Sequence, residues 1–90
     1  MMANIHLTLI GKPGCHLCDD ARDLVATVVQ KVVEERPAPE IVVEERSILE
    51  DAALHDLYVE DIPVLLINGK VHNYWRIDPL RLRTALLDVR

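Results

Sequence analysis

The strongest constraint on the fold is a change of hydrophobic period near the start of the chain. From Asn4 to Ile10, Ile5, Leu7 and Leu9 alternate with His6 and Thr8, the two-residue period of a half-covered strand. The alternation stops at Gly11-Lys12-Pro13-Gly14, a run of turn-forming residues. Beyond it Leu17, Ala21, Leu24, Val25, Val28 and Val32 recur at spacings of three and four, with Asp19, Asp20, Asp23, Gln30 and Lys31 among them. That is the pattern of a helix with one apolar face, broken by Pro37 and Pro39. Its valines are poor helix formers, so the helix depends on burial. A β-branched run, Ile41-Val42-Val43, then marks a second strand over Glu40–Arg46. Strand, helix, strand in this order predicts two parallel strands joined by a right-handed crossover.

The rest of the chain adds a helix, a hairpin and a last helix. Ser47-Ile48-Leu49-Glu50 fits a capping box opening a short helix through about Leu57, and Asp51 is an equally good starting point. Pro63-Val64-Leu65-Leu66-Ile67 is a continuous apolar run, as in a strand covered on both faces. Asn68-Gly69 is the two-residue signal of a type I′ turn, leading into a strand over Lys70–Tyr74. Asp78-Pro79 supplies an N-cap and a proline for the first helical position, and Leu82, Ala85, Leu86 and Val89 form the apolar stripe that follows. The order βαβ-α-ββα describes an α/β fold: a four-stranded mixed sheet flanked by helices, one domain over residues 1–90 with no linker or repeat.

Composition limits what such a domain can do. With 90 residues, 50% apolar and 28% charged, the chain has room for one core and one modest site, not for two lobes closing over a large substrate. A net charge of −5 argues against nucleic acid or an anionic membrane as the main partner. Residues 1–69 carry five basic and thirteen acidic side chains, residues 70–90 five basic and two acidic. The basic segment reads either as a solvated face of the last helix or as a surface for an anionic ligand. No apolar run reaches the ~20 residues that span a bilayer, and the N-terminus lacks the pattern of a secretory signal. A cytoplasmic protein is expected.

Cys15 and Cys18 are the only cysteines, and a disulfide between them closes too short a loop to stabilise the chain. Their role is therefore chemical. Both lie where the first strand gives way to the first helix, so Cys15 at or near the N-cap meets unpaired amide N–H groups and the positive end of the helix dipole, which stabilise a thiolate. Cys15 reads as a nucleophile. Cys18, one turn on, reads as an enclosed and more protonated resolving thiol. Lys12 and His16 add positive charge, whereas Asp19, Asp20 and Asp23 oppose it. Zinc is the rival chemistry for the pair, but a second cysteine pair is missing and His6, His55 and His72 show no ligand spacing. A c-type haem needs histidine directly after the second cysteine, where Asp19 stands. Two inert core cysteines are a further alternative, poorly served by Gly14 and the polar residues around Cys15.

With these residues in view, Lys12-Pro13-Gly14-Cys15-His16-Leu17-Cys18-Asp19 between a strand and a Val/Leu-rich helix resembles the thioredoxin superfamily, and more closely its small glutaredoxin-like branch, over about Ile5 to Leu87. The resemblance implies a thioredoxin-like fold with a cis-proline opposite the cysteines, at Ile62-Pro63. Such a bond turns the Ile62 backbone toward the sulfurs, where an extended substrate can add as a strand. It also implies thiol-disulfide oxidoreduction, with Cys15 attacking a protein or small-thiol disulfide and Cys18 resolving it. The electron donor is then a flavoprotein reductase or a low-molecular-weight thiol, with no tightly bound cofactor. His16-Leu17 replaces the usual dipeptides of thioredoxins and glutaredoxins, and Tyr74-Trp75-Arg76 stands where glutaredoxins carry the Gly-Gly motif that helps hold glutathione. Tyr74 and Trp75 either wall the groove or pack the end of the hairpin. Arg76, with the start of the last helix, can receive the carboxylate of glutathione or another small thiol. The contrasting reading is a non-catalytic module that uses the same groove for a partner or a metal.

Overall fold

A computed structural model describes residues 4–36 and 40–88. Strand β1 (Ile5–Gly11) leads through a short loop into helix α1 (His16–Glu35), and β2 (Ile41–Ser47), α2 (Ala52–Tyr58), β3 (Val64–Ile67), β4 (Lys70–Tyr74) and α3 (Pro79–Asp88) follow. The sheet has four strands in the order β2-β1-β3-β4. β1 runs parallel to β2 and antiparallel to β3, and β3 pairs antiparallel with β4. The mixed α/β sheet expected from the sequence is therefore present.

Alternation along β1 divides the core. Ile5, Leu7 and Leu9 meet Ala21, Val25, Val28 and Val32 of α1 and Leu82 and Leu86 of α3 on one face. Ile10 points the other way and joins Val64 and Ile48, with Leu54 and Tyr58 of α2 packed against them. α1 and α3 thus cover one face and α2 the other. The valine-rich α1 is held by this burial, which compensates for weak intrinsic propensity. It ends at Glu35, ahead of Pro37, which with Ala38 and Pro39 lies outside the described residues. Val89, assigned above to the α3 stripe, also lies outside them.

The register gathers several elements at one end of the sheet. Gly11 pairs with Ser47, Ile10 with Val64, and Val64 with Tyr74. The loop to Cys15, the Ile62-Pro63 bond and the exit of β4 at Trp75 therefore leave the sheet together. At the opposite end Asn68 (φ 50°) and Gly69 (φ 83°) form the expected hairpin turn, both in the left-handed region that a type I′ turn requires. Asn68 also exchanges hydrogen bonds with the backbone of His6: its N–H donates to the His6 carbonyl at 2.8 Å, and its Oδ1 accepts from the His6 N–H at 2.9 Å. Leu65 pairs with Asn73 but Leu66 with Val71, so His72 is the extra residue of a bulge in β4.

Three sequence expectations shift. α2 starts at Ala52 with Asp51 as its cap, whose Oδ1 accepts from Ala53 and Leu54 N–H at 2.9 and 3.3 Å. Ser47 cannot open the helix because it still pairs with Gly11 as the last residue of β2; its Oγ instead accepts from the Leu49 N–H at 3.1 Å in a turn. β1 likewise extends through Gly11, one residue past the predicted stop. Leu17, placed in the apolar stripe of α1, is 43% exposed because the buried stripe runs through Cys18 instead and leaves Leu17 at its flank, on the cleft toward Trp75. The α3 start is as expected: Asp78 Oδ1 accepts from Leu80 and Arg81 N–H at 3.0 and 3.2 Å.

These positions separate in a urea-unfolding series. Leu82→Ala, which empties a fully buried site, is expected to cost about 2–5 kcal/mol. Asp78→Ala, which removes a cap, costs about 1 kcal/mol. Leu17→Ala, at a largely solvated site, stays within about 0.5 kcal/mol; a loss matching that of Leu82→Ala would contradict the placement of Leu17.

Candidate functional site

Cys15 is the N-cap of α1, with extended backbone (φ −103°, ψ 113°). Its Sγ takes the place of a capping oxygen and accepts a hydrogen bond from the Cys18 N–H at 3.2 Å. The cap is reached through Gly14, whose φ of +74° is rarely adopted by residues with side chains. Lys12, Pro13, Gly14 and His16 are all exposed around it. Cys15 itself is half-buried, whereas Cys18 is 3% exposed. Burial pushes the Cys18 thiol up to about 11, and its hydrogen bond with the Cys15 side chain adds to this, while the Lys12 backbone pulls the other way. Two adjacent sulfurs on one helical turn thus sit in unlike environments.

The opposite wall comes from β3 and the segment after β4. Ile62-Pro63 is cis, and Pro63 is fully buried. The Pro63 carbonyl accepts from the Trp75 N–H at 2.7 Å. Trp75 has a left-handed backbone (φ 57°) and its indole N–H donates to the Glu60 carbonyl at 3.2 Å, yet the residue is 56% exposed. Across from it stands Leu17. Together with Arg76, Asp20, Leu24 and Ile77 they line a cleft of about 340 Å³ between α1 and the β4–α3 segment. A second hollow of about 280 Å³ opens on the β2 side, where Lys12 and Pro13 meet Cys18, Arg22 and Arg46. The structure therefore puts Lys12 and Pro13 beside Cys18, and Trp75 and Arg76 beside Leu17, while Tyr74 and Ile62 line neither hollow.

Among the described residues no three His, Cys, Asp or Glu side chains gather where they could hold a metal ion. The cysteine pair has no further protein donors there with which to complete a tetrahedral zinc site. No helix among the described residues is long and apolar enough to cross a membrane.

A family model described as a glutaredoxin-like domain (DUF836) matches residues 6–87. The chain belongs to this glutaredoxin-like family. Membership supports a redox-type function for the domain, and the fold is that of the thioredoxin superfamily. Among solved structures, the target protein XcR50 from X. campestris is 31% identical, with a TM-score of 0.68 and coverage of 93% of this chain and 99% of the other. Protein Ne2328 from Nitrosomonas europaea is 21% identical, with a TM-score of 0.73 and 94% of each chain covered. Oxidised thioredoxin from Plasmodium falciparum, at 9% identity and a TM-score of 0.59 over 92% of this chain and 78% of that one, shares the fold. Comparison with functionally curated proteins yields no match.

Sequence reasoning about this glutaredoxin-like domain passed over two residues at the site. Gly11 counts in the sequence only as the first of the turn-forming residues that stop the strand, yet it lies against Cys18. Glu60, whose backbone anchors the Trp75 indole, carries no local sequence signal, because the contact spans the hairpin.

The Cys18 environment predicts a pH effect on the stability of the reduced domain. An unfolded thiol ionises near 9.0, whereas folded Cys18 holds its proton to about 11. Between these values the unfolded chain binds fewer protons than the folded one, so stability present below pH 9 is lost as pH rises toward 11. Urea midpoints measured under reducing conditions are expected to fall less steeply across this window in Cys18→Ala than in the parent; parallel curves would contradict the assignment.

Proposed function

We propose that the protein is a dithiol thiol-disulfide oxidoreductase that reduces protein or small-thiol disulfides. The observation that carries this reading is the capped pair: the Cys15 sulfur at the helix start, held by the Cys18 N–H, with the buried Cys18 thiol one turn away. In the reaction, the Cys15 thiolate attacks one sulfur of the substrate disulfide and the other leaves as a thiolate. Cys18 then loses its proton and attacks the Cys15 sulfur, which forms the Cys15–Cys18 disulfide and releases the second substrate thiolate. Two electrons pass from the pair to the substrate. A flavoprotein reductase or a low-molecular-weight thiol such as glutathione restores the dithiol, in a reducing cytoplasm.

The surroundings suit an extended substrate. The loop Lys12-Pro13-Gly14 and the Ile62-Pro63 segment leave the same end of the sheet, so substrate backbone can lie across that end while its disulfide meets Cys15. The cleft between Leu17 and Trp75 offers apolar walls with Arg76 and Asp20 at its polar rim. Arg76 can take a substrate carboxylate.

The test is a redox titration followed by thiol alkylation and mass spectrometry. A two-electron transition is expected with a midpoint of about −270 to −200 mV. Cys15→Ser should abolish substrate attack, and Cys18→Ser should accumulate mixed disulfides on Cys15. A pair that stays open to alkylation after oxidant treatment, with no disulfide formed, would overturn the proposal.

A further inference from the structure

Of the three glycines in the chain, two answer to backbone conformation. Gly14 and Gly69 have φ of +74° and +83°, and a Cβ added at either meets nothing within 4 Å. Gly11 is the reverse case. It is a strand residue, paired with Ser47 and accepting from the Ile48 N–H at 3.0 Å, and its φ lies outside the left-handed region. Its backbone could carry any side chain. The surrounding space could not, because a Cβ at this position would stand 2.9 Å from Cys18 Sγ and 3.1 Å from Cys18 Cβ. The first of these separations is one that real Cβ atoms essentially never show.

We propose that Gly11 is a positioning residue for the resolving thiol: its missing side chain is the berth that holds Cys18 Sγ against β1, one helical turn from Cys15. The proposal rests on the oxidoreductase reading and assigns Gly11 to its second step alone. Resolution requires the Cys18 sulfur to approach Cys15 Sγ in line with the departing thiolate. The Lys12 backbone favours the Cys18 thiolate that must form, so the berth serves both the approach and the ionisation of this sulfur. A methyl group at position 11 drives Sγ out of it. Cys15 caps the helix through the Cys18 N–H rather than the Cys18 side chain, so the contact that holds the first nucleophile at the helix start stays in place.

A chromogenic aryl disulfide, dithiobis-nitrobenzoate, separates the two steps. Attack by Cys15 releases one coloured aryl thiolate and leaves an aryl mixed disulfide; attack by Cys18 releases the second and forms the Cys15–Cys18 disulfide. Rapid-mixing absorbance of the parent protein should therefore show two phases, one equivalent each. In Gly11→Ala the first phase is expected within about two-fold of the parent and the second slowed by roughly ten-fold or more, since misplacement by ~1 Å can cost 10²-fold in rate. Mass spectrometry should then find the aryl adduct accumulating. Equal second phases in variant and parent would overturn the role of Gly11, whereas a parent that releases only one equivalent would overturn the oxidoreductase reading itself. Should Gly11→Ala fail to fold, the double variant with Cys18→Ala carries the test. That variant tests the berth alone: removing Sγ relieves the 2.9 Å contact and leaves only the milder 3.1 Å approach to the residue-18 Cβ, so the double variant is expected to fold where the single one does not; failure there as well would overturn the berth.

Discussion

The register of the sheet decides where every reactive group lies. Because Ile10 pairs with Val64 and Val64 with Tyr74, the β1–α1 loop, the Ile62-Pro63 segment and the Trp75 turn emerge at the same edge. A shift of one residue between β1 and β3 would exchange the faces of Val64 and Leu65, both completely buried on opposite sides of the sheet. The two cores thus lock the register, and the register brings the cysteine loop beside the proline-edged segment. Packing and site geometry are in this sense one constraint, which is how a 90-residue chain assembles a groove without a second lobe.

Within that frame, one helical turn separates two sulfurs by environment. Cys15 is held at the solvent edge by its place as N-cap, where the helix presents N–H groups with no internal acceptor. Cys18 falls on the buried stripe that continues through Ala21, Val25, Val28 and Val32. The same periodicity that builds the core therefore buries one thiol and leaves the other accessible. A spacing one residue longer or shorter would turn the second sulfur away from the stripe and give two thiols of similar exposure.

Much of this was legible in the sequence where local chemistry alone decides the outcome. The period change around Gly11, the Asn68-Gly69 turn and the Asp78-Pro79 cap each specify their backbone without help from distant residues, and each is found. The departures come where distant residues decide. Ser47 and Asp51 carry equal local signals for a helix start, and the choice falls to Asp51 because Ser47 pairs with Gly11, which is remote in sequence. Leu17 fits the helical stripe, but the sheet covers its neighbour Cys18 and leaves Leu17 at the flank. Gly11 looked like a strand terminator because a glycine wanted for space and a glycine wanted for its backbone are written with the same letter.

The basic C-terminal segment resolves in the same way. Arg83 forms a two-pronged ion pair with Glu35, a residue at the far end of α1 from Cys15; twenty helical residues place the two ends about 30 Å apart. That pair is exposed and adds little to stability, yet it commits Arg83 to a surface remote from the sulfurs. Among the described basic residues of this segment, Arg76 is the one that lines the cleft with Leu17 and Trp75, and Asp20 faces it from α1. Among the described residues the charge asymmetry of the sequence therefore does not gather as one basic patch: Arg83 and Arg76 lie at different places. At the cysteine end charges of both signs stand close together: Arg76 and Asp20 line one cleft, Lys12 and Arg22 the other hollow, and Asp19 pairs with Arg22 at 3.3 Å, so the local field there is set by the placement of single charges rather than by net charge.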